Sequence, residues 1–397
     1  MLNEKALLLE DSITLSLTAI AQKMKREGKD VISFTAGEPD FDTPKHIKAA
    51  GIAAIEAGKN KYTAVSGIIE LRTAISEKLK KDNHLTYSAE EIVVSCGAKH
   101  SLFNAFGVII NPNDEVIIPA PYWVSYPPQV SFFGGKPVYL ETKEANGLKI
   151  TAQDLKAIIT PKTKVLILNS PSNPTGMIYS QKELESIADI ALTHNLFVIS
   201  DEIYEKLNYS DKPHFSIAEV SNELKKRTIL INGLSKSYSM TGWRIGYSAC
   251  DLNIAKAMAS LQSHSTSNPT TAAQWASLAA LTGPETEIET MRQEFNRRRI
   301  YMVETLNKIK GISCLMPEGA FYAFPNIKEC FNKKTKTGRL ITNSFDFCDA
   351  LLKEIFVSTV PGSGFGSEGF MRLSYATSFA QIKEGLARID AWVTELS

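Results

Sequence analysis

Residues 164–176 read Lys-Val-Leu-Ile-Leu-Asn-Ser-Pro-Ser-Asn-Pro-Thr-Gly, a short apolar run followed directly by a polar loop with two prolines. A run without polar alternation is typical of a β-strand that is buried on both faces of a sheet. Helical patterns, such as residues 98–110 and 181–194, lie between further runs of this kind. This alternation predicts an α/β fold with a mainly parallel, seven-stranded sheet between layers of helices. The other six predicted strands are residues 92–95, 115–118, 137–140, 196–200, 228–232 and 245–249.

The pattern changes after Pro284. Residues 285–310 predict one long charged helix, and weaker strands and a final helix at 378–394 follow. We therefore expect a large domain of residues 31–283 and a smaller α+β domain of residues 284–397. Residues 1–30 are expected to pack with the small domain. The run Arg297-Arg298-Arg299 in the long helix is interpreted as a solvated face rather than a nucleic-acid contact.

Composition and charge narrow the class of protein. Of 397 residues, 44 are Lys or Arg and 43 are Asp or Glu, so no basic surface for nucleic acid is indicated. No apolar run approaches the roughly 18 residues of a membrane span, and the first residues lack the features of a signal peptide. The five cysteines are scattered and the six histidines show no ligand spacing. These features predict a cytoplasmic protein without a metal site, a nucleic-acid partner or a membrane partner.

Three polar side chains follow predicted strands at the point where each strand ends. They are Asn173, Asp201 and Lys236. Because ligands of open α/β sheets bind outside the carboxyl ends of the strands, an amide, a carboxylate and an amine would meet there. Taken singly, each has an ordinary structural interpretation, as a turn residue, a helix cap and a surface lysine. Their three equivalent positions favour a common site.

Residues 233–246 carry the most specific pattern, Gly-Leu-Ser-Lys-Ser-Tyr-Ser-Met-Thr-Gly-Trp-Arg-Ile-Gly. Lys236 stands eight residues before Arg244, between glycines and hydroxyls. A lysine acts as an amine nucleophile at neutral pH only if burial or nearby cations lower its pKa. Arg244 could both bind a phosphate and help to keep Lys236 neutral.

Together with other stretches, this segment resembles the class I aminotransferases, which are pyridoxal 5'-phosphate (PLP) enzymes of fold type I. The sequence of these stretches is most similar to the bacterial aspartate aminotransferase branch, which also contains enzymes that transaminate prephenate. The other matching stretches are Thr-Ala-Gly-Glu-Pro-Asp-Phe at 35–41, Lys-Tyr-Thr at 61–63, Pro-Tyr-Trp-Val-Ser-Tyr-Pro at 121–127, Asn-Ser-Pro-Ser-Asn-Pro-Thr-Gly at 169–176, Ser-Asp-Glu-Ile-Tyr at 200–204 and Met-Arg-Leu-Ser-Tyr at 371–375.

The resemblance implies a set of cofactor contacts. Lys236 would form a Schiff base with the PLP aldehyde, and Asp201 would keep the pyridine nitrogen protonated. Asn173 and Tyr204 would bind the phenolic oxygen, and Trp123 would stack on the ring. The residues implied at the phosphate are Arg244, Ser235, the backbone of Gly97, Ala98 and Lys99, and Tyr62 from the other subunit of a homodimer with shared sites.

The resemblance also implies how an amino acid and a 2-oxo acid would bind. Arg372 would pair with the α-carboxylate, which Gly37 would let the backbone approach, and Trp123 and Asn173 would also face the substrate. Freed Lys236 would then carry the proton. Lys99, with Thr14, would meet the distal carboxylate of an acidic substrate such as aspartate or 2-oxoglutarate.

Other reactions remain open from the sequence. They are transamination of aromatic amino acids or prephenate, and β-elimination on the same fold and cofactor. The branch that accepts prephenate commonly has a lysine where this chain has Glu10, which argues against prephenate. A PLP-sensing regulatory protein would require a fused DNA-binding segment, for which the first 30 or so residues are too short.

Overall fold

A seven-stranded sheet forms the centre of the computed structural model, which describes Leu9 and residues 13–397. Its spatial order is β2-β8-β7-β6-β5-β3-β4; β8 is antiparallel to both neighbours, and the other adjacent pairs are parallel. The predicted α/β fold is confirmed. Numbered after the short strand β1 (Ile32–Ser33), the strands are β2 (Ile92–Ser95), β3 (Glu115–Ala120), β4 (Lys136–Glu141), β5 (Thr163–Asn169), β6 (Phe197–Asp201), β7 (Thr228–Gly233) and β8 (Gly246–Ala249).

The apolar runs form strands because both faces of the sheet are covered. In β5, Val165 and Ile167 pack into one core cluster, whereas Leu166 and Leu168 pack into another on the opposite face. Successive side chains of a strand point to opposite faces, so a strand between two helical layers needs apolar residues at every position. The helices that flank this sheet or precede it are Lys45–Glu56, Ile69–Asn83, Ala98–Ile109, Tyr126–Phe132, Ala152–Ile158, Gln181–Thr193, Asn222–Arg227, Leu252–Ser263 and Thr271–Thr282.

Local sequence sets the starts of several of these helices. Ser180 and Glu183 form a capping box, in which the serine side chain accepts from the Glu183 amide and the glutamate accepts from the Ser180 amide. Thr151 and Asp154 do the same for the helix Ala152–Ile158. Short 3-10 turns connect other elements, at Ala89–Glu91, Glu144–Asn146, Ile217–Glu219, Thr241–Trp243, Lys328–Cys330 and Gly362–Phe365.

The C-terminal third combines a long helix with small sheets. Strands β13, β14 and β9 form an antiparallel sheet, and β1 pairs in parallel with β12. Helix Ile13–Arg26 contacts β12 and β13, so the described part of the N-terminal segment packs against this region. The domain boundary at residue 284 stays a prediction. The elements here are the helices Thr286–Leu306, Ser344–Ile355 and Phe379–Thr394 and the strands β9 (Tyr322–Ala323), β10 (Lys333–Lys334), β11 (Leu340–Ile341), β12 (Val357–Ser358), β13 (Val360–Pro361) and β14 (Met371–Ser374).

The arginine run of the long helix departs from its predicted solvated face. Arg298 is only 6% exposed, and its guanidinium donates to Asp40 at 2.7 Å and to Glu294 at 2.8 Å. The prediction of a solvated side chain is wrong for Arg298, because Asp40, which is distant in sequence, forms an ion pair with it. Among the helices that the structure describes, none is long and apolar enough to cross a membrane.

Candidate active site

A cavity of about 390 Å³ lies where β5, β6 and β7 end, at the carboxyl edge of the parallel strands. Both the N-terminal helix Ile13–Arg26 and β14 contribute to its wall. Most of the residues singled out from the sequence line it, namely Thr14, Gly37, Ala98, Lys99, Trp123, Asn173, Asp201, Tyr204, Ser235, Lys236, Arg244 and Arg372. The fold thus assembles them at the edge that open α/β sheets use for ligands.

Asp201 ends β6 and is buried at this cavity. The Tyr126 hydroxyl donates to its Oδ2 at 2.7 Å, and the Ile203 amide donates to its Oδ1 at 3.3 Å. Burial raises the pKa of Asp201 to about 6, although both hydrogen bonds oppose this rise. The carboxyl group can therefore share a proton with a basic nitrogen in the cavity at neutral pH.

Lys236 lies in the loop after β7, and its ammonium contacts the backbone carbonyl of Gly37. Burial lowers the pKa of Lys236 to about 8. Glu38 counters this effect, while the cations of Arg244 and Arg372 lower the pKa further. About a tenth of the amine is thus unprotonated at pH 7, far more than for an ordinary lysine, as a nucleophile or general base requires.

Arg372 on β14 is buried with part of its hydrogen-bonding capacity unused. Its Nη1 donates to Oδ1 of Asn173 at 3.0 Å, and its Nη2 donates to the carbonyl of Thr35 at 2.9 Å. Among the residues that the structure describes, none accepts a hydrogen bond from its Nε. The ring of Tyr322 supports the guanidinium at 4.5 Å. A buried guanidinium with a spare donor, facing a cavity, suits a carboxylate ligand.

Two tyrosines join the large sheet to the C-terminal region. The hydroxyls of Tyr204 and Tyr322 lie 2.9 Å apart, and both residues are buried and line the cavity. Tyr204 follows β6, whereas Tyr322 begins β9. Their contact places the Tyr204 hydroxyl at the cavity wall, where it could bind a phenolic oxygen.

Arg244 and two glycines shape the part of the cavity that suits an anion. Nη1 of Arg244 donates to the carbonyl of Thr241 at 2.8 Å. At Gly246, an added Cβ would lie 2.1 Å from the backbone nitrogen of Ala98, so only glycine lets β8 approach the start of helix Ala98–Ile109 this closely. Gly97 caps that helix with φ of 87°, and an added Cβ there would meet the Arg244 guanidinium. Helix amides and an arginine together favour a phosphate.

The predicted contacts for a distal carboxylate lie at the same cavity. Nζ of Lys99 is 4.9 Å from the centre of the Trp123 ring. Burial, followed by the charge of Arg244, lowers the pKa of Lys99. Thr14 lines the cavity from helix Ile13–Arg26, and its carbonyl accepts from the Thr18 hydroxyl at 2.7 Å. Glu10, which bears on prephenate, lies outside the described residues.

Tyr62 is placed elsewhere. It is 90% exposed and is not part of the cavity wall in this chain. Because the structure contains one chain, the predicted contact of Tyr62 with a second subunit stays a prediction.

Three side chains that the structure brings to the site have no role in the sequence-based prediction. Tyr126 bonds Asp201, Tyr322 bonds Tyr204, and Glu38 lines the cavity. Tyr126 and Glu38 lie inside matching stretches, which is the signal that could have drawn attention to them. Tyr322 lies in an apolar stretch that predicts only burial.

The charges at the cavity fit PLP with an acidic substrate. Its described wall has four cations and two acids, namely Lys99, Lys236, Arg244, Arg372, Asp201 and Glu38. A phosphate and two carboxylates would complement this excess of positive charge. The Arg372 guanidinium and the glycine-lined helix start offer separate places for a carboxylate and a phosphate.

The chain belongs to the class I and II aminotransferases, because the model of that family matches residues 29–389. Enzymes of this family depend on PLP, so the predicted cofactor is confirmed.

Individual aminotransferases are similar to this chain over nearly its full length. The aspartate aminotransferase of Bacillus sp. (strain YM-2) is 52% identical over 385 residues, which cover 97% of each chain. The aspartate/prephenate aminotransferase of Cereibacter sphaeroides is 46% identical over 390 residues, 98% of each chain. The crystal structure of the aspartate aminotransferase from Rhizobium meliloti superposes with a TM-score of 0.97, at 44% identity and with 100% of both chains covered.

Proposed function

We propose that this protein is an aspartate aminotransferase that exchanges the amino group between aspartate and 2-oxoglutarate. The observation that carries this proposal is the convergence of Lys236, Asp201 and Arg372 at one cavity, with Lys99 as a further cation. An amine, an acid and a buried guanidinium are the groups that amino-group transfer from a carboxylate-bearing substrate needs. The names of the relatives support aspartate as the substrate.

PLP, when bound, supplies a pyridine ring that withdraws electrons and so stabilises negative charge at the substrate α-carbon. The residues proposed to hold it are Lys236 at its aldehyde, Asp201 at its ring nitrogen, Asn173 and Tyr204 at its phenolic oxygen, Trp123 against its ring, and Arg244, Ser235 and the backbone of Gly97, Ala98 and Lys99 around its phosphate.

Asp201 and Lys236 handle protons in this proposal. The Asp201 carboxylate keeps a proton on the ring nitrogen, and the Tyr126 hydroxyl stabilises the charged form of that carboxylate. Nζ of Lys236 takes the proton from the α-carbon of the amino acid. In the reverse half of the cycle it gives a proton to the α-carbon of the oxo acid. A pKa of about 8 keeps this amine close to the balance between base and acid near neutral pH.

Substrate binding is proposed to use both ends of the cavity. Arg372 pairs with the α-carboxylate, assisted by the backbone at Gly37, because its planar guanidinium can make two parallel hydrogen bonds. Lys99 and Thr14 meet the distal carboxylate. Leaving that second charge unpaired inside a closed site would cost several kcal/mol, roughly 3–5 by comparison with broken buried ion pairs.

We further propose a homodimer in which Tyr62 binds the phosphate of the partner's cofactor. Tyr62 is 90% exposed and is not part of this chain's own cavity wall, which supports a contact outside the chain. The cytoplasmic location stays a prediction from the sequence, supported by five cysteines that form no disulfide.

The test is a panel of amino acids assayed with 2-oxoglutarate and the PLP-loaded enzyme. Aspartate should be preferred, and borohydride reduction should attach the cofactor to Lys236. Lys236→Ala should abolish exchange, whereas Lys48→Ala, which breaks an exposed ion pair, should not. A tenfold or greater preference for aromatic amino acids would replace aspartate as the amino donor, and prephenate, which is an oxo acid, is assayed in place of 2-oxoglutarate. Attachment to a different lysine would overturn the mechanism.

A further inference from the structure

Glu38 is an acid in a cavity whose wall is otherwise rich in cations. Of the described wall residues, only Asp201 and Glu38 are acidic. Asp201 is buried at the end of β6 and already accepts from Tyr126 and Ile203. Glu38 is exposed toward the cavity, and the proposed reaction assigns no role to it.

Two contacts place Glu38 on the side of the cavity that holds Lys236. The preceding carbonyl, that of Gly37, contacts the ammonium of Lys236. The Glu38 carboxylate accepts a hydrogen bond from the Thr241 hydroxyl at 2.9 Å, five residues beyond Lys236 in the chain. Residues 37 and 38 are therefore fastened both to the lysine and to the segment that follows it.

Most of the other charged groups around Lys236 disfavour its protonated form. Arg244 and Arg372 face it as cations, and Asp201 faces it as an acid. The Phe321 ring lies 6.0 Å from its Nζ. Lys99, Tyr204 and Tyr322 line the same cavity. After burial, the charge of Glu38 has the largest influence on the amine, and it opposes both burial and the arginines.

We propose that Glu38 is a positioning residue that keeps the proton affinity of Lys236 high enough for the amine to act as an acid as well as a base. An amine that must take up a proton and return it works best when neither form dominates. Without Glu38, burial and the two arginines would favour the neutral amine of Lys236, which would then hold an abstracted proton too weakly to return it. Glu38 neither takes nor gives a proton in this proposal and acts on Nζ of Lys236 by its charge alone.

This inference rests on the proposed role of Lys236, and the test uses an enzyme form in which that amine is free. Holoenzyme carrying pyridoxamine phosphate is labelled with acetic anhydride across a pH series, and acetylation of Lys236 is followed by peptide mass spectrometry. Glu38→Gln removes the charge but retains an oxygen for the Thr241 hydroxyl. Lys236 should then titrate at lower pH, with its proton-binding constant reduced roughly 3- to 10-fold.

Control variants separate charge from structure. Asp42→Asn removes a nearby exposed carboxylate that pairs with Lys48 and is not part of the cavity wall, so it should leave the titration of Lys236 unchanged. Glu38→Asp retains the charge and should restore most of the wild-type value. The rise of kcat with pH should move to lower pH in Glu38→Gln and remain near wild type in Glu38→Asp.

Three results would overturn the inference. They are an unchanged titration of Lys236 in Glu38→Gln, an equal shift in Asp42→Asn, and a uniform loss of kcat at every pH with no shift. If Glu38→Gln does not fold, Glu38→Ala is titrated in its place with the same expected direction. A wild-type enzyme whose cofactor does not attach to Lys236 would instead refute the proposed function, so the two failures are distinguishable.

Discussion

Nη1 of Arg372 lies 3.0 Å from Oδ1 of Asn173, although 199 positions separate the two residues in the chain. The contact joins β14 of the C-terminal region to the loop after β5. Because the amide oxygen accepts from the guanidinium, the Asn173 amide nitrogen remains a donor for a phenolic oxygen. The proposed substrate contact and a proposed cofactor contact therefore hold each other in place.

Arg372→Lys should lower kcat/KM for every amino acid substrate. A lysine cannot make the two parallel hydrogen bonds of a guanidinium, and it would leave Asn173 without its partner. We expect a loss of about 2–4 kcal/mol, or roughly 30- to 1000-fold. Steady-state kinetics with aspartate and with a neutral amino acid measure it. Arg388→Lys, at a surface ion pair with Asp30, is the control and should change kcat/KM little. Wild-type kcat/KM in Arg372→Lys would contradict the proposed carboxylate contact.

Lys99→Ala should discriminate between acidic and neutral substrates. A charge-assisted hydrogen bond to the distal carboxylate is worth roughly 1.5–3 kcal/mol, or about 10- to 150-fold in kcat/KM for aspartate. Neutral substrates should be nearly unaffected because they present no second charge. Thr14→Ala should act in the same direction more weakly. An equal loss for both substrate types would assign Lys99 to the cofactor phosphate or to stability.

The loss of activity at low pH, the acid limb of the pH profile, should follow the protonation of Asp201. Burial raises its pKa to about 6, so below that pH the carboxyl group is protonated and cannot keep a proton on the ring nitrogen. Tyr126→Phe removes a hydrogen bond that favours the charged form, so the limb should move to higher pH. Single-turnover rates from pH 5 to 9 measure the shift.

Variants at Asp201 and Tyr122 complete that experiment. Asp201→Ala should lose several kcal/mol of transition-state stabilisation, roughly 3 or more, and Asp201→Glu should lose less. Tyr122→Phe, four residues before Tyr126, should leave the acid limb in place because Tyr122 pairs with Tyr139 instead. Equal rates for wild type and Asp201→Ala would remove Asp201 from the mechanism.

Mixing Tyr62→Phe with Lys236→Ala subunits tests the shared dimer sites through the rise in activity over the Lys236→Ala parent. In a heterodimer of Tyr62→Phe and Lys236→Ala subunits, one site carries both changes and the other carries neither. Activity should therefore rise on mixing, toward one wild-type site per heterodimer. The control is Lys236→Ala mixed with itself. A fully active monomer in sedimentation experiments would exclude this arrangement.

Stability should depend on a buried ion pair behind the site. Glu205 contacts the ammonium of Lys78, and both side chains are buried. Burial alone would raise the pKa of Glu205, but Lys78, His214 and Asn83 lower it to about 2. Because the folded-state pKa lies below the unfolded value, this stabilisation is present above about pH 4.5 and is lost as pH falls through about 2.

Glu205→Gln at neutral pH should cost up to about 3–5 kcal/mol, because it removes the buried carboxylate nearest to Lys78 and leaves Asp82, at 3.9 Å, as its ionic partner. Thermal unfolding in the absence of substrate measures the loss. Asp42→Asn breaks an exposed pair and should cost less than about 1 kcal/mol. A loss in Glu205→Gln as small as that of the control would show that the buried pair contributes little.

The central sheet, and the meeting of polar side chains at its strand ends, could be predicted from the sequence alone. Burial on both faces demands apolar residues at every position, so the run 164–169 could be recognised without any tertiary information. Strand ends in a parallel sheet meet at one edge, which brought Asn173, Asp201 and Lys236 together in the prediction. The family resemblance then supplied roles for them, and those roles remain predictions.

Contacts between segments that are distant in the chain could not be predicted and are known from the folded structure. Tyr322 meets Tyr204 across 118 positions, and Thr241 meets Glu38 across 203. Arg298 is buried because Asp40 neutralises it, against the rule that arginines in a charged helix face water. Periodicity reports which side of a strand or helix is buried, whereas a hydrogen bond or ion pair depends on which other segment packs there. That choice is made by the packing of the whole chain, and it determines the surroundings of Asp201, Lys236 and Arg372.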